Sequence, residues 1–141
     1  MASTTSASTA GVKRVLHPGS VGMLVGGLML IVGSLMPWVM TPVGILFGTA
    51  GGGLWTMCAG FLAVAGALIP RRWSAVAHCA VVGLASAGIA GWQLARIVQL
   101  SAATDAWGAL VPSIGLVMVA GGAVVVLRTG VRLLRTPVAA R

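Results

Sequence analysis

The sequence predicts an all-α integral membrane protein, a bundle of four transmembrane helices with both termini on the cytoplasmic side. Three observations carry this prediction. Hydrophobic residues make up 58% of the chain and charged ones only 7%, whereas a soluble domain needs about a quarter charged residues to wet its surface. No Asp, Glu, Lys or Arg occurs between Val15 and Pro70, and Asp105 is the one carboxylate side chain in 141 residues. The basic residues gather at what become the same ends of successive apolar blocks.

A helix needs about 20 mostly apolar residues to cross the hydrocarbon core, at about 1.5 Å of rise each. Four such segments fit, near 21–40, 52–69, 74–94 and 107–127. The apolar runs are continuous instead of alternating, which selects helices over a barrel. Short connections leave no room for a separate soluble domain. Residues 1–17, rich in Ser, Thr and Ala, read as a disordered cytoplasmic tail, 18–128 as the bundle and 129–141 as a basic cytoplasmic tail. Lys13-Arg14 and the apolar run after it imitate a secretory leader, but Ser34-Leu35-Met36 is a poor cleavage motif and Pro37-Trp38 suits the end of a span.

Orientation follows from Lys and Arg near the span ends. Lys13 and Arg14 precede span one, Arg71 and Arg72 separate spans two and three, and Arg128, Arg132, Arg135 and Arg141 follow span four. All eight belong on the cytoplasmic side of an inner membrane. The outer connections, 41–51 and 95–106, hold only Arg96 and Asp105. Tryptophan favours the headgroup region, where its ring is buried and its N–H is wet. Trp38, Trp55, Trp92 and Trp107 fall at the expected outer ends, Trp73 at an inner one. The net charge of +8 thus reads as a topology signal and an attraction to anionic lipid at the cytoplasmic face, with Arg128, Arg132 and Arg135 the lipid-facing set, and not as a nucleic-acid surface.

A candidate tandem duplication of hairpins relates the two halves. Gly60-Phe61-Leu62-Ala63-Val64-Ala65-Gly66 matches Gly115-Leu116-Val117-Met118-Val119-Ala120-Gly121 at an offset of 55 residues, which also pairs Gly33 with Gly88. Small residues mark close helix contacts: Gly22 and Gly26 on span one, Ala59, Ala63 and Ala67 on span two, and Gly83, Ala87 and Gly91 on span three. Pro37, Pro42 and Gly51-Gly52-Gly53 predict a re-entrant or interfacial loop with a soft approach to span two. Pro112 predicts a kink in the outer third of span four.

Little in the chain suits chemistry. Proton- or cation-coupled transport needs a titratable group at membrane depth, and small multidrug antiporters, also of four spans, use a carboxylate in the first helix where this chain has only Ser34. Arg96 and Asp105 flank the outer loop at pairing distance along the chain. Cys58 and Cys79 fall at different depths, too far apart for a disulfide, and read as small buried fillers. His17 and His78 are the candidate ligand pair for a haem b, since two histidines on different helices can hold one. No metal site and no catalytic constellation is expected, so the chain reads as a non-enzyme without a cofactor.

The Pro37-Trp38 step, Gly51-Gly52-Gly53-Leu54-Trp55 and Trp107-Gly108-Ala109-Leu110 together resemble a set of small four-span membrane proteins of high-GC Gram-positive bacteria, across residues 21–127. An acidic residue frequent before span two in that set is absent here, and the set implies no particular activity. The leading expectation is a non-catalytic accessory subunit of a larger inner-membrane assembly, such as an oxidase, respiratory complex or transporter, with larger integral subunits as partners. The alternatives are a small homo-oligomeric channel or carrier for neutral solutes or lipids, and a haem b electron-transfer subunit.

Overall fold

The computed structural model describes residues 19–105 and 107–136. It contains α1 (Ser20–Leu35), α2 (Gly53–Ala67), α3 (Arg72–Ala103) and α4 (Ile114–Arg135). Three short strands, β1 (Pro37–Thr41), β2 (Gly44–Phe47) and β3 (Val111–Pro112), form one antiparallel sheet in the order β2-β1-β3, and a 3-10 turn at Gly48–Ala50 leads into α2. The N-terminal tail, including Lys13, Arg14 and His17, and the last residues, including Arg141, lie outside the described residues.

Local contacts establish the topology. Ser20 Oγ donates to the Ala67 carbonyl at 2.8 Å, joining the start of α1 to the end of α2. Arg72 Nε donates to the Leu133 carbonyl at 2.9 Å, joining the start of α3 to the end of α4, and Gly19 lies under Leu133. These four ends therefore meet at one end of an up-down-up-down bundle, and the sheet lies at the other. The first end carries Arg71, Arg72, Arg128, Arg132 and Arg135; the sheet end carries Arg96 and Asp105.

Two helices, α3 and α4, are long and apolar enough to cross a membrane; at about 1.5 Å per residue they extend roughly 48 and 33 Å. The other two are apolar but shorter, 16 residues in α1 and 15 in α2. The expected first span to residue 40 stops at Leu35 because Pro37 forces Met36 out of the helical region, to ψ 165°. The remaining apolar stretch becomes β1, turns through Pro42-Val43 and returns as β2, a hairpin where a re-entrant or interfacial loop was expected. Thr41 Oγ1 donates to the Gly44 carbonyl at 2.8 Å across that turn.

Beyond the sheet, two more boundaries differ from expectation. The connection expected at 95–106 is mostly helix, since α3 runs on to Ala103 and ends only where Thr104 and the left-handed Asp105 (φ 49°) break it. The fourth helix starts at Ile114 instead of Trp107. Pro112 does not kink it: the proline sits in β3 opposite Val39, ahead of the helix, where its missing N–H breaks no helical hydrogen bond. At the far end α4 continues through Arg128 to Arg135, with Thr129, Gly130 and Leu133 buried.

The bundle is held by backbones in direct contact. A Cβ built on Gly27 would lie 2.9 Å from the Gly60 carbonyl oxygen, and one on Gly60 2.8 Å from that of Gly27. On the neighbouring stripe of α1, a Cβ on Gly26 would lie 3.0 Å from the Gly122 carbonyl and 2.6 Å from Val126 Cγ2, and Gly22 has no room beside Thr129. So α1 runs between α2 and α4 and touches both through glycine. Leu30, Ala63, Cys79, Val82, Val119 and Val126 fill the space between.

The 55-residue offset does not carry into this packing. Gly60 and its counterpart Gly115 both face α1, although a two-fold relation would turn Gly115 toward α3. Gly33 is enclosed by Gly115 and Val119, while a Cβ on Gly88 meets nothing within 4 Å.

Replacing Gly27 by Val inserts a branched side chain between two backbones and should cost about 2 kcal/mol or more. Gly88→Ala should hold or slightly raise stability, because it adds helix propensity in open space. Thermal unfolding of the full chain in mild detergent reads both, and an unchanged melt for Gly27→Val would refute the contact.

Candidate functional site

The basic end is more than a charge signal. Arg72 extends from the first turn of α3 and forks onto the last carbonyls of α4, donating to Leu133, to Leu134 at 3.1 Å and to Thr136 at 2.5 Å. Those carbonyls have no partner within their own helix and carry its negative dipole end, so a guanidinium there satisfies acceptors and charge together. Arg128, Arg132 and Arg135 recur at intervals of four and three on the exposed face of α4.

At the opposite end, polar groups knit the helices to the sheet. Ser34 and Thr56 share a hydrogen bond of 2.7 Å between α1 and α2, with the Leu30 and Gly53 carbonyls of their own helices also in reach. Having one proton each, one hydroxyl donates to the other, which donates to its own helix carbonyl. Trp38, expected at a headgroup boundary, is instead 2% exposed, with its indole N–H donated to the Gly33 carbonyl at 2.9 Å. Trp55, Trp73, Trp92 and Trp107 are exposed. The glycines before α2 are compact and not soft. Gly48 and Gly53 touch backbone to backbone, and Gly48 also lies on Trp38 and Ser34.

One concave region lies beside this plug. A cavity of about 190 Å³ is bounded by Trp38, Phe47, Gly51, Gln93, Arg96 and Leu100, among others. A groove of about 390 Å³ continues from it along Gly51, Gly52, Gly88, Ile89 and Trp92, with Gln93 common to both. Arg96 is exposed and Gln93 half-buried, and neither side chain makes a hydrogen bond or ion pair with the described residues. The expected Arg96–Asp105 pair is not formed, because α3 carries Arg96 on its surface two turns before Asp105 turns the chain. Asp105 lines neither hollow.

The other candidate residues are scattered. Cys79 is buried beneath Gly130, whereas Cys58, expected to be a buried filler, is exposed on the outward face of α2; both are free thiols. His78 is half-buried on α3 with Nδ1 2.7 Å from the Ser74 carbonyl of its own helix, and its ring lies against Gly66. Among the described residues no three of His, Cys, Asp and Glu come together as metal ligands. Of the span-three stripe, Gly83 lies against Leu127, but Ala87 and Gly91 point outward, with nothing within 4 Å of a Cβ on Gly91. Ser86 instead faces inward, and its buried Oγ has no hydrogen-bond partner.

No protein-family model, curated protein or solved structure matches the chain.

Arg72→Gln should fray the last turn of α4 and cost about 1.5 kcal/mol or more, since the lost hydrogen bonds come from a charged donor; hydrogen exchange at residues 130–136 would report it. Ser86→Ala should leave the melting temperature unchanged or raise it, because it removes a buried hydroxyl without a partner. Ser34→Ala, which removes the hydrogen bond between α1 and α2 and leaves Thr56 only the Gly53 carbonyl of its own helix, should lower it by about 1 kcal/mol in stability. The reverse order of these two alanine variants would overturn the assignment.

Proposed function

We propose that this chain is a non-catalytic accessory subunit of a larger inner-membrane assembly, embedded with four spans and both described helix-bundle termini on the cytoplasmic side. The observation that carries this reading is the outward stripe of α3. Ala87, Gly91 and Ala95 repeat every four residues on the exposed surface, flanked by Leu84 and Val98, 65% and 55% exposed. Small residues in such a row let another helix approach closely where lipid provides no hydrophobic gain for association.

Membrane placement is supported by the inverted surface. Val21, Val25, Leu28, Val32 and Leu35 follow one outward stripe of α1, and Ile114, Val117, Val124 and Val131 one of α4. Exposed Trp73 and Trp92 are 19 residues apart on α3, about 28 Å along a helix, close to the roughly 30 Å of a hydrocarbon core. On this reading the arginine end lies at the cytoplasmic headgroups, the sheet at the opposite interface and the last turns of α3 beyond it. The shorter α1 and α2 cross together with the hairpin and the glycine turn, which end at the same interface.

Among the described residues the interior is filled by side chains such as Leu30, Ala63 and Val82 at zero exposure, which speaks against a solute path through one copy. A partner helix is the better match to the open stripe.

Gly91→Leu adds bulk only outside the fold, so it should release the chain from its partners with the melt of the isolated protein unchanged. Gly83→Leu would collide with Leu127 and should unfold it. Mild-detergent extraction, size separation and mass spectrometry of the co-migrating chains test this directly. Larger subunits lost with Gly91→Leu support the reading; a chain that migrates alone or only with copies of itself removes it.

A further inference from the structure

The cavity and groove at the sheet end form one continuous surface with two chemistries. Its lower part, between the approach to α2 and the outer half of α3, is apolar and walled by glycine: Gly51, Gly52 and Gly88, with Ile89 and Trp92 beside them. Gly88 leaves space in front of it, for a built Cβ there meets nothing within 4 Å. Its upper part holds Gln93 and Arg96 above Trp38 and Leu100. Arg96 is the only cation on that end among the described residues, and neither it nor Gln93 has a protein partner.

Depth selects the occupant. Trp92 marks the headgroup boundary on α3, and Arg96 stands four residues farther on, about 6 Å along the helix axis. The guanidinium is thus level with phosphates, and Gly88, about 6 Å to the other side of Trp92, is level with the first methylenes of an acyl chain. A groove that passes from apolar to cationic across that boundary has the polarity of a single phospholipid.

We propose that this groove binds one anionic phospholipid of the non-cytoplasmic leaflet, with its phosphate on Arg96 and Gln93 and one acyl chain along Gly51, Gly52, Gly88 and Ile89. Arg96 supplies a charge-assisted contact that a planar fork makes well to phosphate oxygens. The site is separate from the lipid attraction of Arg128, Arg132 and Arg135 at the other end of the bundle. It rests on the membrane placement proposed above.

The test uses the full-length chain reconstituted into phosphatidylcholine vesicles carrying a minor share of phosphatidylglycerol, with brominated acyl chains on one lipid or the other. Tryptophan quenching reads proximity, and a Trp92→Phe variant identifies the share that comes from Trp92. Brominated phosphatidylglycerol should quench Trp92 at roughly tenfold lower mole fraction than brominated phosphatidylcholine, because the phosphate is common to both lipids and only phosphatidylcholine adds a trimethylammonium whose charge opposes the Arg96 guanidinium. Arg96→Gln should abolish that preference, Gly88→Leu should reduce quenching by both lipids by filling the groove, and Arg128→Gln should change neither. Both groove variants sit in open space, and their unchanged melts will show that the fold is intact. Equal quenching by the two lipids, or preference retained in Arg96→Gln, overturns the lipid site. Co-flotation with the vesicles is measured on the same samples: a chain that floats without lipid preference overturns the site alone, and a chain that does not float overturns the membrane placement and the site together.

Discussion

The contact between the backbone of α1 and those of α2 and α4 is the constraint on which the rest of this molecule depends. At Gly26–Gly122 and Gly27–Gly60 the helices approach until main-chain atoms touch. In the membrane placement proposed above, burying another methyl group would gain little, and dispersion between closely packed main chains and weak Cα–H···O contacts would supply the cohesion. The same approach continues to the sheet end. Gly115, at the start of α4, lies on the carbonyls of Gly33, Met36 and Pro37, and this brings β3 beside β1. The Ser113 N–H then donates to the Trp38 carbonyl at 2.8 Å. Sheet and groove are thus downstream of glycine positions on α1.

A chain with almost no charge still has to satisfy its polar backbone. Several helix ends here are closed by a specific side chain: Arg72 at the end of α4, the Trp38 indole at Gly33 near the end of α1, the Ser34–Thr56 pair between the upper parts of α1 and α2. The sheet is different. β2 pairs only with β1, and its outer edge is open, with Ile45, Leu46 and Phe47 each about half exposed. An open strand edge is untenable inside hydrocarbon, where an unpaired N–H has no water. A headgroup region supplies water and ester oxygens to that edge and accepts the apolar side chains beside it. The hairpin therefore suits an interface, which agrees with the depth inferred from Trp92.

Much of this was legible in the residues. Continuous apolar runs located the helices, arginine positions located the common end, and Gly22 and Gly26 marked a face of α1 that meets α4. What the residues concealed has physical causes. An apolar run of strand looks like an apolar run of helix when the surroundings are also apolar, so residues 37–47 read as the end of a span and a loop. The signals were present in Pro37, in the Thr41-Pro42-Val43-Gly44 turn and in Pro112, whose fixed φ and absent N–H suit a short edge strand better than a helix interior. Trp38 read as an interfacial anchor because indoles often are; only the nearby Gly33 carbonyl and the notch at Gly48 make it a plug. On α3, the spacing of Gly83, Ala87 and Gly91 identified a row of small residues but not which of them faced inward. Arg96 gave no hint of a groove, because the wall opposite comes from Gly51 and Phe47, more than 40 positions earlier in the chain.

The arrangement of α1 has a temporal consequence. Its two glycine faces are completed by segments made at very different moments. Gly60 follows Gly27 closely during synthesis, so the α1–α2 contact can form as soon as both helices have left the ribosome. Gly122 comes 96 residues after Gly26, a delay of roughly 5 to 20 s at ordinary elongation rates. Through that interval the newborn first helix presents a bare main-chain groove to whatever surrounds it, and any helix with a small-residue face can occupy it. Arrival of the final segment must therefore displace such transient companions, which makes the C-terminal helix the step that commits the chain to its native neighbours.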